Sequence, residues 1–518
     1  MGIIRSQSIR SASITYIAFA LGAVNAVFVM PHFLSNTQIG LISVYIAFAA
    51  QVVTIGSIGV GVVINKFLPY YKAHLTPQKN DLLTFALVVG TIGLLLALGI
   101  FTLNKELIIR KFSKNSPLFV EYLYLFPLLA FGYLYSYILE SFNTNYKFSV
   151  WSSFVRELFY KFFNLFIIIL FALHWVSFRG AMNIYSIMYV LGALLLMMNL
   201  IKHKLFHLTF TISNLTKKLK SNLLKYSLSA WGISILGITY QFVDIFAITG
   251  LIGLGSAAIY NIPKFLITAI VIPSSAVISI SVPLISESWR QNNLAKIEEI
   301  YKKSALVLVL LCGAIFFLIW SNIDDILHLL PDKFYGSTDA FTAAKYALLI
   351  LGIARMFDLA TSVNSHILQN SRKYYWVDLT SNIVITVFSI PLNYMLIKAF
   401  GILGAATSYL VLAFLVNSFK AFYLYYKEKI HPFSQKWKVL LAVFATAVTV
   451  GYILNIFLQA PPIDAMVSTI PARIGRIIIR SIILSAIFVP IVYKLNISED
   501  INSLIKSLLN KIFLKPKQ

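Results

Sequence analysis

The chain has 518 residues, 59% hydrophobic and only 12% charged, with a formal net charge of +24 and a single cysteine. Soluble globular domains carry about 25% charged residues, so the composition excludes that class, and the lone Cys312 excludes a disulfide framework or a cysteine-based metal cluster. The basic residues sit in short stretches between apolar blocks, which excludes a nucleic-acid partner and assigns most of the charge to anchoring at one membrane face.

The apolar blocks are about 20 residues long, the length that crosses a bilayer as a helix and far longer than the alternating strands of a barrel. They predict an all-α polytopic membrane protein with about 14 spans: 12–31, 39–64, 82–103, 117–139, 158–176, 181–201, 223–248, 256–283, 304–321, 341–369, 376–398, 402–425, 438–458 and 476–493. The first span follows Arg5 and Arg10 and is longer than the apolar core of a secretory signal. In the second, Gly56, Gly59 and Gly61 are expected to allow close helix packing. Lys66 and Glu140, at the ends of spans two and four, and Lys420, late in span twelve, read as interfacial anchors. The polar loop 202–222 divides the chain, giving expected domains 1–212, 213–430 and 431–495, with a basic amphipathic tail over 496–518.

An even number of spans puts both termini on one side. With that side cytoplasmic, the inner segments hold about 29 of the 43 basic residues and the outer ones about 11. This is the asymmetry the positive-inside rule requires.

Sliding the chain on itself by 229 residues aligns span five with span eleven through nine identities, among them Ser152/Ser381, Tyr146/Tyr375 and Asn164/Asn393. An offset of 224 aligns spans six and twelve through Gly180/Gly404, Ala181/Ala405 and Tyr185/Tyr409. Repeats separated by an even number of spans run parallel. Two six-helix lobes around a central cleft are therefore expected, with alternating access between them.

Asp244 followed by GLIGLGSAAIYNIPK (250–264), HILQNSRKYYWVD (366–378) and LNYMLIKAFGILGAATSYLV (392–411) resembles the helix signatures of polysaccharide flippases. These belong to the multidrug/oligosaccharidyl-lipid/polysaccharide exporter superfamily, and the likeness in layout covers nearly the whole chain. The resemblance implies a flippase that moves undecaprenyl-pyrophosphate-linked oligosaccharide units from the inner to the outer leaflet of the cytoplasmic membrane. It further implies membrane lipids, a polysaccharide polymerase and a chain-length regulator as partners. Ser11 to Pro31 lacks the basic residue seen in the peptidoglycan-precursor branch, which argues against that substrate.

A lipid-linked pyrophosphate needs a cationic contact, because burying unpaired phosphate charge is prohibitive. Lys264, a third of the way along span eight, is the first choice, and Arg355 in span ten the second. Asp358 lies three residues beyond Arg355 on the same helical face, so this pair can also neutralise itself. Asp244 would pair with Lys264, bind a coupling cation (H+ or Na+), or sit in the interface; no other cofactor is expected. Asn25, Gln51, Gln241 and Tyr260, with Tyr16, Trp231 and Tyr240, could meet sugar hydroxyls and rings, against the commoner use of such residues in interhelical contacts. Pro263, Pro273 and Pro283 should segment span eight and give it hinge points. Two alternatives stand beside the flippase: a cation-coupled multidrug exporter of the same superfamily, and a membrane glycosyltransferase or polymerase using Asp324 and Asp325. Neither lobe offers the sizeable catalytic loop that the enzyme reading requires.

Overall fold

Backbone groups in an apolar slab must be satisfied within a helix or a closed barrel, and this chain takes the first course. The computed structural model describes residues 2–361, 363–458, 470–499, 501–503 and 505–506, with side chains described from residue 13 and not over 454–458; among these residues there are helices and no strand. The principal helices of the first half are α1 (Gly2–Ala23), α2 (Asn36–Gly56), α3 (Val60–His74), α4 (Leu82–Leu103), α5 (Phe126–Asn145), α6 (Tyr160–Ala172), α7 (Phe178–Lys202) and α8 (Asn214–Leu251). There follow α9 (Leu254–Val271), α10 (Ser274–Arg290), α11 (Leu294–Ser321), α12 (Thr338–Thr361), α13 (Val363–Asn370), α14 (Tyr375–Phe400), α15 (Ile402–Glu428), α16 (Lys436–Leu458) and α17 (Ile470–Lys494). Of the expected tail, 496–499, 501–503, 505 and 506 are described, helical at 499, 501–503, 505 and 506, and the rest lies outside the described residues.

Twelve stretches of described residues are long and apolar enough to cross a membrane. The expectation of 14 differs in two places: Tyr375–Glu428 counts as one 54-residue stretch although it holds α14 and α15, and α6 has only 13 residues. The fourth span is also displaced. It was expected at 117–139, but Pro117 opens a five-residue helix and Pro127 starts a new one, so the long helix is α5. Proline at a first-turn position lacks only an N–H that has no helical partner anyway.

The chain divides into two compact units, Met1–Ile259 and Tyr260–Gln518, and the division falls inside α9. In the first unit, α2 and α3 are separated by a break at which Ile58 and Gly59 have φ of 47° and 74°. The break is sealed by α8. The Trp231 indole N–H donates to the carbonyls of Thr54 and Ile55 at 3.1 and 2.8 Å, and the Ser227 hydroxyl donates to the Ile58 carbonyl. A Cβ on Gly59 would stand 2.6 Å from the Ser227 carbonyl oxygen. Gly56 keeps the expected packing role, against Leu94 of α4, but Gly59 is there because a left-handed residue must end the helix.

Helix α8 is held at both ends. Before its first turn the buried Asp81 carboxylate accepts from the Ser213 amide (2.8 Å), the Ser213 hydroxyl (2.9 Å) and the Thr216 hydroxyl (2.9 Å). Ser213 itself caps the helix by accepting from the Thr216 amide at 3.1 Å. At the other end, Asn115 donates to the carbonyls of Gly250 and Leu251, and Ser116 to that of Thr249. Two π-helical turns, Val24–Val29 and Phe154–Phe159, loosen the helices that carry them. Such turns recur at functional positions.

In the second unit the expected segmentation occurs at Pro273, which caps α10; Pro263 and Pro283 lie inside α9 and α10. One apolar cluster joins α10, α11, α13 and α15 through Ile285, Tyr301, Val363, Ile367 and Leu424, and a second joins α11 to α16 and α17 through Leu306, Val309, Leu440, Val443 and Val492. Replacing Trp231 by Phe keeps an aromatic ring but removes the pyrrole half of the indole, and with it the N–H that the Thr54 and Ile55 carbonyls share. The expected outcome is a loss of about 1–3 kcal/mol, seen as a lower melting temperature in detergent relative to a Trp175→Phe control, whose ring is 73% exposed.

Candidate functional site

The ionisable groups within the helices resolve into a few clusters. The most enclosed lies in the second unit. Lys420 of α15 and Asp378 of α14 form an ion pair at 2.7 Å, each side chain 4% exposed. The Lys420 ammonium also donates to Ser365 (3.0 Å) and Asn382 (3.2 Å), which uses all three of its hydrogens. The second Asp378 oxygen accepts from Gln369 (2.8 Å) and Asn382 (3.0 Å). The reading of Lys420 as an interfacial anchor is therefore wrong. An anchor keeps its charge in water, whereas this one is withdrawn from it and fully coordinated by α13 and α14.

Arg355 and Asp358 form the ion pair that their spacing predicted, at 2.5 Å and about one-third exposed. Asn417 donates to the other Asp358 oxygen at 3.1 Å and ties the pair to α15. Lys264 is half-buried on α9, with its ammonium 5.9 Å from the Tyr260 ring centroid. Tyr260 is fully buried, and Asp244 is 7% exposed rather than lying in an accessible interface. Asn25, in the first π-turn, donates to Asn164 at 3.0 Å, and Gln51 donates to Thr239 at 3.1 Å; both make the interhelical bonds weighed against sugar contact. Gln241 is exposed, Tyr16 is 54% exposed and Tyr240 half-buried, while the indole N–H of Trp231 is committed to the α2–α3 break.

Glu140 is not simply an interfacial anchor either. The second π-turn presents Arg156 to it, and the two pair at 2.5 Å. Lys66 is exposed, with its ammonium 3.6 Å from the Tyr226 ring centroid. Asp324 pairs with Lys345 (2.7 Å) and Asp325 with both Arg476 (2.7 Å) and Arg480 (3.0 Å). The acids weighed for glycosyl transfer are thus spent on ion pairs, Asp324 with α12 and Asp325 with α17, and no cluster of three metal-ligating side chains occurs among the described residues.

At the ends of α10, α13 and α15, a cavity of about 820 Å³ is lined by Arg290, Arg372, Lys373, Trp289, Tyr374 and Glu428, among others. Burial, and then the 2.5 Å hydrogen bond to Glu428, hold the Tyr374 phenol above its ordinary pKa. Sequence reasoning missed Asp378, Asp81 and Arg156. The repeat register carried a signal for the first: the 229-residue offset also superposes Ser136 on Ser365 and Glu140 on Gln369, and so pairs the polar clusters of the two halves.

No protein-family model and no curated protein matches the sequence. Solved structures do. An inward closed conformation of the lipid II flippase MurJ matches with a TM-score of 0.66 at 15% identity, over 93% of this chain and 98% of its own. An inward-facing multidrug resistance transporter of the MATE family, in the MOP superfamily, matches at 0.59 and 15% identity, over 81% of this chain and 99% of its own. The MATE multidrug transporter DinF-BH matches at 0.56 and 17%, over 84% and 97%. At these identities the likeness establishes the fold alone: a multi-pass helical fold shared with these solved transporters.

Removing one partner of the buried pair leaves an uncompensated charge, which costs about 3–5 kcal/mol. Lys420→Met and Asp378→Leu are each expected to lower the melting temperature sharply, and the double substitution to recover most of the loss in a double-mutant cycle.

Proposed function

We propose that this protein is a flippase for lipid-linked oligosaccharides, moving undecaprenyl-pyrophosphate-bound repeat units across the cytoplasmic membrane by alternating access for cell-surface polysaccharide assembly. The observation that carries this reading is the extent of the likeness to a lipid-linked-substrate flippase. A match over 93% of the chain cannot be reached without residues from its last two helices, whereas matches of 81–84% can. In this reading both termini are cytoplasmic, residues 1–212 and 213–430 act as lobes, and 431–495 is an appendage. Lys264 is the pyrophosphate contact. It is half-buried in a helix that ends at the Pro273 break, and Pro263, Pro273 and Pro283 supply the bending element. Arg355 is a weaker choice because Asp358 already takes its charge. Asp244 remains a partner or coupling group for H+ or Na+, and Gln241 the sugar contact with the most accessible side chain. The polymerase and chain-length regulator are its partners in assembly.

The second reading, a cation-coupled multidrug exporter, draws on the two MATE structures. The two separate in a single experiment. Lys264→Ala is expected to abolish complementation of a flippase-deficient, polysaccharide-negative strain while the variant still reaches the membrane, with no drug resistance on overexpression of the wild type. Full complementation by the variant would remove Lys264 from the site; wild-type drug resistance without complementation would replace the function.

A further inference from the structure

The first unit contains a chamber that the proposed function leaves unused. It encloses about 520 Å³ between α3, α5, the second π-turn, α6 and α7, within the usual size of small-ligand sites. Tyr133, Tyr137, Tyr160 and Tyr189 line it, together with the Glu140–Arg156 pair and the polar ends of Asn65 and Thr144. The rings are grouped: Tyr189 lies 4.8 Å from Tyr133 and 4.5 Å from Tyr160, centroid to centroid. Tyr160 is fixed by its hydroxyl donating to Ser136 at 2.8 Å, and Ser136 in turn donates to the Tyr189 carbonyl at 2.8 Å. Arg156 is turned toward the chamber by the π-helical turn that carries it.

The charges decide what the chamber can take. Glu140 is matched by Arg156, and the neighbouring Glu157 by Arg156 (3.1 Å) and Lys161 (3.6 Å). Four aromatic faces around an unmatched carboxylate would hold an organic cation, but here the carboxylate is matched. What remains is a set of aromatic faces, phenol hydroxyls, an amide and a bidentate-capable ion pair, with donors and acceptors in similar numbers. A neutral, polyhydroxylated ring satisfies both halves of that surface: its apolar face lies on a phenol ring, and its hydroxyls exchange hydrogen bonds at the edge.

We infer that this chamber is a binding site for the uncharged sugar rings of a glycan, separate from the pyrophosphate contact at Lys264. That the neutral solute is a sugar rests on the flippase reading; that it is neutral rests on the charge balance. The test uses the full-length protein in detergent with maltotriose, cellotriose, chitotriose and, as the cationic probe, tetraphenylphosphonium, measured by titration calorimetry. Saturable binding of at least one trisaccharide is expected. Tyr133→Phe with Tyr137→Phe keeps the rings and removes two hydroxyls, and should weaken binding by about three- to tenfold per hydrogen bond lost. Glu140→Gln should weaken trisaccharide binding, while Trp175→Phe, which is not part of the chamber lining, should leave it unchanged. Thr144→Val, on the exposed end of α5, supplies a second probe of the lining if the tyrosine pair does not fold. Absence of binding by all three sugars, unchanged affinity in every lining variant, or binding of tetraphenylphosphonium in their stead overturns the chamber assignment. Sugar binding in a protein that fails complementation overturns the flippase reading and leaves the chamber standing.

Discussion

A carbonyl released from a helix inside an apolar environment has to find a donor in the surrounding protein, because no water is there to supply one. That requirement organises this chain. Where α2 stops before Gly59, α8 brings Trp231 and Ser227 to the exposed carbonyls. Where α8 ends, Asn115 and Ser116 do the same. The pattern extends to one further tryptophan: Trp289 donates to the carbonyl of Ile367, in the last turn of α13, at 2.9 Å. Each indole combines a large apolar body with one donor, which suits it to seal a loosened turn while packing against lipid-like surroundings.

Charges follow the same economy. Burying an isolated ion is prohibitive, so the deep acids and bases occur as coordinated groups: Lys420 with Asp378, Arg355 with Asp358, Arg480 with Asp325. These clusters differ in how closed they are. The Lys420 cluster has every donor used and excludes solvent, which suits a strut that keeps α13, α14 and α15 in register. The Arg355 pair is a third exposed and has slack. The Glu140–Arg156 pair faces an open chamber.

How much of this was legible follows from the range over which each interaction acts. The helices were readable because apolar length is a local property. The Arg355–Asp358 pair was readable because three residues on one helix fix its geometry in advance. Lys420 and Asp378 stand 42 residues apart on different helices, and nothing local distinguishes a buried lysine near a helix end from an anchoring one. Arg156 reaches Glu140 only through a π-turn, which the apolar pattern does not encode. Gly59 was seen as a glycine among glycines; its left-handed conformation depends on Ser227 and Trp231, distant in sequence. The internal repeat was the one long-range signal available, and it pointed at the polar positions of both halves.

The last helix shows what such pairing means for assembly. With Arg473, Arg476 and Arg480 in its first half, α17 would be a poor candidate for entering a bilayer by itself, since an arginine at depth costs about 3 kcal/mol. Its counter-charge, Asp325, lies 151 residues ahead of Arg476 and emerges from the ribosome first. The carboxylate, the Ser321 carbonyl and the Asn322 side chain that receive Arg480 are then already in place when the helix arrives. Biogenesis of this terminal segment is therefore a docking reaction on a receptor synthesised before it, and the order of synthesis shapes its pathway and kinetics.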